Sequence, residues 1–409
     1  MNVWFFGSYD QFDGESNRTH LFAKYLATSS DFKVSFFCNS FCHFTKKQKR
    51  KVKGLSLRES RDSVDIYWLK TPGYYSNGIY RFINMICNFF LLVMNGISVK
   101  KSPDIIIGSS VPITTAFAAL LVARLRRAKF VYEIRDLWPE ALVLLGGVKR
   151  ASFSYIVMKC IERLILRSAD LVISALPSVE SYARMSGLKK QSKIIWIPNP
   201  VSPPSKYETT NYLTRFAGFN VVYIGGFGRF HDIDVILRAA KQLINQGHND
   251  VNIHLFGSGE FLDFYKTKAK HDFLINIYFH GRIAKSEVWG VQKEADALLA
   301  TIPDSDIFKY GINTNKITNY MMAGKPILYC GPNLSYSPVR DSCAGFCSLA
   351  GDAGGLAMNI IELKGSNYHK YIFEFKKNAE IYYKKNFDLI LLGKRYRNAL
   401  LKIYNSHAS

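Results

Sequence analysis

The sequence predicts an α/β fold built from two doubly wound domains. Short apolar runs alternate with helical stretches in each half of the chain, and a proline cluster separates the two halves. Strands that are apolar on both faces are typical of parallel sheets, because crossover helices cover both sides of such a sheet. A length of 409 residues also favours two domains, since single cores stop growing at about 250–300 residues.

The predicted strands fall into two series. The first half contains "VWFF", "KVSFF", "DIIIG", "KFVYEI" and "DLVISA", with helical stretches such as "RTHLFAKYLA" and "AFAALLVARLRR" between them. The second half contains "VVYIGG", "VNIHLFG", "NIYFHG", "ADALLAT" and "KPILYCG". Each run is short, apolar and followed by turn or polar residues, as expected for buried strands.

The domain boundary is predicted near "IPNPVSPPSKYETTN", where four prolines interrupt regular structure. We expect an N-terminal domain at residues 1–200 and a C-terminal domain at residues 201–385. The remaining residues, 386–409, include the amphipathic segment "FDLILLGKRYRNALLKIY", predicted as a helix that packs back toward the N-terminal domain. Ligands of doubly wound domains bind at the carboxyl ends of the strands, so the site is expected in the cleft between the two domains.

The composition indicates an anionic partner. The formal net charge is +22, which suits nucleic acid, an anionic membrane surface or phosphorylated substrates. No nucleic-acid recognition motif is present and the aromatic residues resemble core positions, so nucleic acid is not expected. The seven cysteines are scattered, without a Cys-x-x-Cys pair, which favours a reducing cytoplasmic compartment and excludes the usual zinc spacing.

Two segments bear on membrane association. The start of the chain lacks the features of a signal peptide. Residues 82–99 approach spanning length but contain Asn84, Asn88 and Asn95, so we predict a buried or interfacial helix rather than a transmembrane one. The basic run "KKQKRKVKG" at residues 46–54 is either a solvated loop or, together with the apolar helix, a surface that docks on the anionic cytoplasmic leaflet.

A glycine-rich turn follows the first strand of the second half. Gly225, Gly226 and Gly228 are placed so that backbone N–H groups can approach an anion at a helix N-terminus. Arg229 adds a bidentate donor for phosphate. The turn matches neither the dinucleotide nor the Walker pattern, and an ordinary tight turn with a solvated arginine is the alternative.

The stretch "NKITNYMMAGKPIL" places a lysine at an unfavourable position. Ile317, Tyr320 and Met321 have helical spacing, Gly324 is placed to end the helix, and Lys316 lies in the first turn. The positive end of a helix dipole disfavours a lysine unless an anion lies between them. We therefore predict an anion site here; a surface lysine is the alternative. Neighbouring loops that would present backbone groups to the same ligand contain Gly281, Arg282, Ile283, Gly311, Ile312 and Asn313.

These motifs in this order resemble the retaining nucleotide-sugar glycosyltransferases of family 4. The resemblance rests on the glycine turn, "FGSGE", "FHGRIAKSEV", "ADALLAT" and "NKITNYMMAGKPI", and in the first half on "GESNRTHLFAKYLA", "YEIRDLWPEAL", "SADLVISALPSVESY" and "IWIPNPV". "RDLWPE" is similar to the branch with bacterial O-antigen and capsule amino-sugar transferases. The resemblance implies the GT-B fold of two facing Rossmann-like domains, and retaining transfer from a nucleotide diphosphate sugar without a metal or other cofactor.

The resemblance also implies partners, and the chain departs from the family pattern at one motif. The donor is expected to be a UDP-sugar, with a guanosine nucleotide second, and the acceptor an undecaprenyl-diphosphate-linked saccharide at the inner face of the plasma membrane. The family often carries a Glu-x7-Glu pair, but this chain has Gly311 and Asn319 at the matching positions. Asn319 can still form hydrogen bonds to a ribose, whereas Gly311 has no side chain. The chain is therefore either a subgroup that uses backbone groups and Lys316, or an enzyme of impaired activity.

The loops of the first half are expected to hold the acceptor. Gly14 would allow close approach of substrate, and Arg18 would contact an acceptor phosphate or be solvated. Arg135 and Asp136 follow a predicted strand, so they should lie at the ligand edge, where Asp136 would accept a proton or orient a hydroxyl. A structural Arg–Asp contact is the alternative. Glu140 is a further catalytic candidate.

Other readings of the chain remain open. A nucleotide-sugar epimerase or a phosphorylase would use the same architecture, and release of free nucleotide diphosphate in the presence of an acceptor would distinguish a transferase. An inactive scaffold is suggested by the missing glutamates alone.

Overall fold

The chain divides into two compact units, which are described separately. The computed structural model describes residues 1–10, 12, 18–43, 45–75, 78–201, 203–204, 207–312 and 315–406. The first unit comprises Met1–Pro200 and Leu389–Ser409, and the second comprises Val201–Asp388.

The first unit contains an eight-stranded sheet. Its strands are β1 (Asn2–Phe6), β2 (Lys33–Asn39), β3 (Ser56–Arg61), β4 (Val64–Leu69), β5 (Ile105–Ser109), β6 (Lys129–Ile134), β7 (Leu171–Ser174) and β8 (Lys193–Trp196). Its helices are α1 (Arg18–Ala27), α2 (Ile79–Ser98), α3 (Ile113–Leu125), α4 (Glu140–Leu144), α5 (Phe153–Ser168) and α6 (Glu180–Met185). The strand order is β3-β4-β2-β1-β5-β6-β7-β8, and only the β3–β4 pair is antiparallel.

The second unit contains a six-stranded parallel sheet. Its strands are β9 (Phe219–Ile224), β10 (Val251–Phe256), β11 (Ile277–Gly281), β12 (Ala297–Thr301), β13 (Ile327–Gly331) and β14 (Gly345–Leu349), in the order β11-β10-β9-β12-β13-β14. Its helices are α7 (Ile233–Asn245), α8 (Leu262–His271), α9 (Lys285–Glu294), α10 (Asn315–Ala323), α11 (Pro338–Ser342), α12 (Ala353–Lys364) and α13 (Tyr368–Asn386), with a 3-10 helix at Asp306–Tyr310. The predicted α/β class with two doubly wound sheets is confirmed.

The last helix, α14 (Leu389–Asn405), packs within the first unit. Its buried residues Leu392, Tyr396 and Leu400 recur every four positions, so they form one apolar face. The Tyr396 ring stacks on Phe22 of α1 with centroids 4.4 Å apart. This face therefore joins the core that the first sheet and α1 share.

Helix α2 has its polar face inside and its apolar face outside. Asn84 and Asn88 are fully buried, and the Asn84 side chain donates to the carbonyl of Pro72 at 2.7 Å. Asn95 accepts from the hydroxyl of Ser56 at 2.6 Å. The large exposed side chains are Ile79, Tyr80, Phe82, Ile83, Phe90, Met94 and Ile97. The Asn88 amide donates to the hydroxyl of Ser8, so each of these three side chains forms at least one hydrogen bond. The apolar side chains that raise the mean hydropathy of α2 face outward.

In the described part of the chain, α2 is the one helix with the length and composition to cross a membrane, and a third of it is buried. Core helices of soluble proteins meet the same criterion, so this finding alone is weak evidence of a span. The outward apolar stripe is the more specific observation, because globular proteins rarely expose contiguous apolar surface of this kind.

A pair of neighbouring histidines, His254 fully buried and His280 half-buried, is expected to make the stability of the second unit depend on acid pH. Nδ1 of His254 on β10 lies 3.0 Å from Nε2 of His280 on β11, and Nε2 of His254 lies 3.0 Å from Oδ1 of Asn220. Burial and then the neighbouring His280 lower the pKa of His254 from 6.5 to about 3, and burial lowers that of His280 to about 4. Both imidazoles are therefore neutral at pH 7 in the folded protein.

We expect the free energy of unfolding to fall as the pH drops below 6.5. The unfolded chain takes up protons there while His254 in the folded chain does not, so His254 alone would cost up to about 1.4 kcal/mol per pH unit. Urea unfolding at pH 7 and pH 5 measures the loss. His254→Gln should flatten this dependence, and His271→Gln, at an exposed histidine, should leave it unchanged. An equal slope in wild type and His254→Gln would contradict the assignment.

Candidate functional site

The second sheet opens at the carboxyl ends of two neighbouring strands. The chain continues from β9 to β10 and β11 on one side, whereas β12, β13 and β14 lie on the other side. β9 and β12 pair only at Val221–Ala297 and Val222–Leu298, so they diverge beyond these residues. Ligands of doubly wound sheets bind at such a change of direction.

Tyr320 of α10 bridges the two diverging strands. Its hydroxyl accepts from the backbone N–H of Ile224 at 3.1 Å and donates to the carbonyl of Leu299 at 3.3 Å. The residue is 1% exposed. Ile317 and Met321 are buried beside it, which confirms the predicted helical spacing. Tyr320 therefore anchors α10 between the carboxyl ends of β9 and β12.

Lys316 lies in the first turn of α10, as predicted, and is aimed into this opening. Its Nζ atom is buried and lies 3.8 Å from the centroid of the Tyr223 ring. A Cβ atom on Gly225 would stand 2.5 Å from Nζ, so the glycine makes the room for the ammonium group. Burial lowers the pKa of Lys316 to about 7. The lysine is thus held at the glycine turn after β9 at the cost of part of its charge.

The turn itself is open on one side. The Tyr223 hydroxyl donates to the carbonyl of Gly226 at 2.6 Å, which fixes the turn. A Cβ atom on Gly228 would meet nothing within 4 Å, so the protein leaves space there. Arg229 is exposed, and its guanidinium carbon lies 5.6 Å from the centroid of the Phe261 ring.

One detail of the predicted anion site is corrected. The sequence placed the anion at the N-terminus of the helix after the glycine turn, but α7 begins only at Ile233, after the cap residue Asp232. The Asp232 side chain accepts from the N–H of Val235 at 3.1 Å. This helix end is already capped by a carboxylate, which leaves α10, with Lys316, as the helix start at the opening.

The ends of β10 and β11 lie against the same turn. Gly257 has φ of +140°, and a Cβ atom there would stand 1.7 Å from the carbonyl oxygen of Gly225. The N–H of Gly257 donates to the carbonyl of Gly281 at 2.7 Å. Arg282 is exposed, whereas Ile283 packs against the core. The structure therefore brings Gly281 and the glycine turn together and leaves only backbone at position 283 for a ligand.

The remaining predicted donor residues flank α10. Gly311 follows the 3-10 helix with φ of +104°, a conformation that favours glycine. Ile312 packs against the core, and Asn319 is half-buried one helical turn after Lys316. Asn313 lies outside the described residues. Gly311 and Asn319 bring no carboxylate to these two positions.

In the first unit, Arg135 and Asp136 follow β6. The hydroxyl of Ser110 accepts from the N–H of Arg135 at 3.1 Å and donates to the carbonyl of Asp136 at 3.0 Å. The Arg135 guanidinium pairs with Asp10, which follows β1 and is 2% exposed. Asp136 is exposed, and partial desolvation raises the pKa of its carboxyl, against the effect of Arg135. Arg135 is therefore anchored by Asp10, and the carboxylate of Asp136 beside it is accessible.

Two predicted site residues are corrected. Arg18 is 2% exposed, pairs with Glu133 at 3.0 Å and donates to the carbonyls of Ile197 and Pro198. It is a buried structural arginine and neither contacts solvent nor presents itself to an acceptor. Glu140 accepts from the Tyr155 hydroxyl at 2.7 Å and from Arg150 at 3.3 Å. Its carboxylate links α4 to α5 and is not a catalytic candidate. Gly14 lies outside the described residues.

Three side chains that shape these two places were not predicted from the sequence. Tyr223 and Tyr320 passed for core residues, although their hydroxyls position the turn and α10. Asp10 was overlooked in a long loop, although it anchors Arg135. Among the described residues, no group of three or more His, Cys, Asp or Glu side chains is arranged to hold a metal ion.

Two family models match the chain. Residues 14–200 match the Glycosyl transferase 4-like domain, and residues 218–365 match Glycosyl transferases group 1. The matched ranges follow the two structural units in order.

Known proteins with a similar sequence or fold agree with these matches. A probable glycosyltransferase, WbjE of Pseudomonas aeruginosa, is 24% identical over 273 residues, which cover 65% of this chain and 67% of WbjE. Sucrose-phosphate synthase from Thermosynechococcus elongatus has a TM-score of 0.70 at 14% identity, with 99% of both chains covered. HepE from Anabaena, solved in complex with UDP-glucose, has a TM-score of 0.65 at 14% identity, covering 98% of this chain and 100% of HepE.

Proposed function

Because the chain is a glycosyltransferase of the GT-B fold, we propose that it transfers a sugar from a nucleotide diphosphate donor with retention at the anomeric carbon. The observation that carries this proposal is the lysine at the opening of the second sheet. A buried ammonium group aimed at a glycine turn is suited to a diphosphate, because the anion restores the charge that burial disfavours.

The diphosphate would bind between Lys316 and the glycine turn. Gly228 leaves space on the turn, and the exposed Arg229 is near enough in sequence to close over an anion there. Fixed donors of this kind stabilise the charge that develops on a leaving diphosphate, commonly by a few kcal/mol each. Gly281 and Gly311 would offer backbone groups to the nucleotide and sugar, and Asn319 would bond the ribose.

We favour UDP as the nucleotide and chemistry without a metal ion. The complex of HepE with UDP-glucose supports the uridine donor. Lys316 and Arg229 would supply the positive charge that Mg²⁺ supplies in other phosphate sites.

The acceptor would bind the first unit. There Asp136 would orient or deprotonate the acceptor hydroxyl, with Arg135 beside it. The "RDLWPE" motif supports a role in bacterial surface polysaccharide synthesis, either O-antigen or capsule. The acceptor would then be a saccharide on undecaprenyl diphosphate, and the protein would work in the cytoplasm at the inner face of the plasma membrane.

Helix α2 supports the membrane part of this proposal. Its outward apolar stripe has the character of an interfacial helix, and the high positive charge of the chain suits an anionic leaflet. In the basic run at residues 46–54, Arg50 pairs with Glu59 at 2.9 Å. The exposed lysines of the run, which would face lipid head groups, are Lys47, Lys49, Lys51 and Lys53.

The competing candidates are a different GT-B enzyme, such as an epimerase, and an inactive scaffold. The scaffold follows only from the absence of carboxylates at Gly311 and Asn319. The buried Lys316 argues against a scaffold. Its burial lowers its pKa to about 7, and such perturbed groups are typical of functional sites.

Thermal unfolding with UDP, GDP, ADP and CDP, each with and without Mg²⁺, tests the donor site. We expect UDP to stabilise the protein without metal, by about 2.7 kcal/mol at roughly one hundred times its dissociation constant. Incubation with UDP-sugars and a lipid-linked acceptor should then release UDP, and NMR of the product should show the anomeric configuration of the donor. Stabilisation by none of the nucleotides would refute the proposal.

A further inference from the structure

A second concentration of positive charge lies in the first unit, next to the Arg135–Asp10 pair, since Tyr9 precedes Asp10 and Trp138 lies three residues after Arg135. Six residues from five chain segments meet there: Tyr9, His43, Lys46, Tyr74, Arg81 and Trp138. We call them the cation–aromatic cluster. They follow β1, β2, β4 and β6 or begin α2, so they lie at the carboxyl edge of the parallel strands, where doubly wound sheets bind ligands.

The aromatic rings form a buried floor. Tyr9, Tyr74 and Trp138 are 7%, 2% and 5% exposed. The imidazole of His43 stacks on Tyr9 with centroids 4.7 Å apart, and its Nδ1 lies 2.5 Å from the Tyr74 hydroxyl. The floor is therefore rigid, with its polar atoms bonded to one another.

Two cations lie over this floor. Nζ of Lys46 is 4.6 Å from the centroid of Tyr74 and 3.5 Å from Nδ1 of His43. The Arg81 guanidinium carbon is 5.6 Å from the centroid of Tyr9 and 5.9 Å from that of Trp138, and its Nε donates to the Tyr9 hydroxyl. Both residues are only partly buried, so their charged groups remain accessible to a ligand.

The positive charges of Lys46 and Arg81 disfavour further positive charge in the cluster. Burial and then Arg81 lower the pKa of Lys46, and burial, Lys46 and Arg81 lower that of His43 to about 4. Lys46 also has φ of +56°, a conformation uncommon for residues other than glycine. Converging like charges on a rigid base are the arrangement that a phosphate group stabilises.

Apolar side chains adjoin the cluster in the chain. Tyr75 and Tyr80, next to Tyr74 and Arg81, are 89% and 67% exposed, and Ile79 is 65% exposed. A ligand bound here would meet charge and exposed hydrocarbon within one short region. An isoprenoid phosphate combines these two properties, whereas a free nucleotide or saccharide does not.

We propose that the cation–aromatic cluster binds the phosphate groups of an isoprenoid-linked acceptor, with the first prenyl units against Tyr75, Ile79 and Tyr80. This inference rests on the proposed transfer to a lipid-linked saccharide and assigns the anchoring site that Arg18 does not provide. Lys46 and Arg81 hold the phosphates, and the lipid chain continues toward the outward stripe of α2.

Calorimetric titration with geranyl diphosphate and with inorganic diphosphate tests the site. We expect Lys46→Ala and Arg81→Ala each to weaken geranyl diphosphate binding about tenfold. Lys100→Ala and Lys101→Ala, which remove exposed cations just beyond the other end of α2, should have no effect. Tyr80→Ser should weaken geranyl diphosphate but not inorganic diphosphate, because only the prenyl chain contacts it.

The variant Lys316→Ala distinguishes binding at the donor site from binding at the cation–aromatic cluster. This variant should lose any geranyl diphosphate bound at the donor site and keep the binding that Lys46→Ala and Arg81→Ala weaken. The cluster variants should retain their stabilisation by UDP, which also shows that they fold. A failure of UDP to bind would refute the proposed donor while leaving the cluster assignment intact. Unchanged geranyl diphosphate binding in Lys46→Ala and Arg81→Ala, or equal affinity for inorganic diphosphate, would overturn the assignment.

Discussion

Lys316→Ala is expected to remove much of the stabilisation of the protein by UDP. The ammonium group lies at the glycine turn, with Nζ 3.8 Å from the centroid of the Tyr223 ring, and the neighbouring Arg229, which is exposed, replaces this buried charge only in part after truncation. Loss of a charge-assisted contact to a diphosphate costs about 1.5–3 kcal/mol, and loss of transition-state stabilisation adds to this in turnover. We therefore expect UDP affinity to fall about 10- to 100-fold and transfer to fall further.

The pH dependence of UDP binding tests the same residue more sharply. The pKa of Lys316 is lowered to about 7, so an increasing fraction of the unliganded protein carries a neutral lysine as the pH rises from 7 to 9. Binding of the anion requires the charged form, and affinity should therefore decline over this range by up to about tenfold per pH unit. Lys316→Arg keeps its charge at pH 9 and should remove the decline.

The free energy of unfolding of the unliganded protein should rise with pH over the range in which UDP affinity declines. Burial lowers the pKa of Lys316 from 10.5 to about 7. The lysine therefore costs stability below pH 10.5, and this cost grows as the pH falls from 10.5 to 7. Lys316→Met removes it and should raise the free energy of unfolding at pH 7 by about 1–3 kcal/mol. A Lys316→Met variant that is more stable without ligand and only weakly stabilised by UDP would show that Lys316 is kept for binding and not for folding.

Lys266→Ala is the matched control, because Lys266 is an exposed lysine on α8 of the same unit. It should keep the affinity, the pH dependence and the stability of the wild type. If Lys316→Ala binds UDP like this control, the lysine is structural and the donor site lies elsewhere.

Polar substitutions on α2 are expected to release the protein from anionic membranes. Phe90 and Met94 are 58% and 51% exposed on the outward stripe. Burial of two such side chains in a bilayer interface contributes about 3 kcal/mol, so Phe90→Ser with Met94→Ser should weaken binding to vesicles roughly a hundredfold. Co-sedimentation with phosphatidylglycerol vesicles measures the effect, and phosphatidylcholine vesicles should bind less because the chain is cationic.

The second unit offers a matched control for this experiment. Phe264 and Met358 are 60% and 68% exposed on α8 and α12, and serine at both positions removes the same side-chain types. These substitutions should leave vesicle binding unchanged. Equal loss in both double variants would indicate nonspecific hydrophobic adsorption, and no loss in either would refute the role of α2. Binding that survives neutralisation of Lys47, Lys49, Lys51 and Lys53 would exclude the basic run from the surface.

Sequence alone determined the features that depend on local order. The apolar runs predicted the central strands of both sheets, and the spacing of Ile317, Tyr320 and Met321 predicted α10. The position of Lys316 in the first turn followed from the same spacing, so the conflict between its charge and the helix dipole was visible without a structure. Such features are local because hydrogen bonding and side-chain direction in a helix or strand repeat over a few residues.

Only the tertiary structure decided which side chains are available for chemistry. Arg18 pairs with Glu133, 115 positions away, and no local pattern distinguishes this buried arginine from one that binds phosphate. The asparagines of α2 argued from composition against a transmembrane span and left a buried or an interfacial helix open, and only packing shows that they face inward and the apolar residues outward. Partner choice and the face of a helix that is buried depend on contacts between distant segments, and these arise only when the sheet brings the segments together.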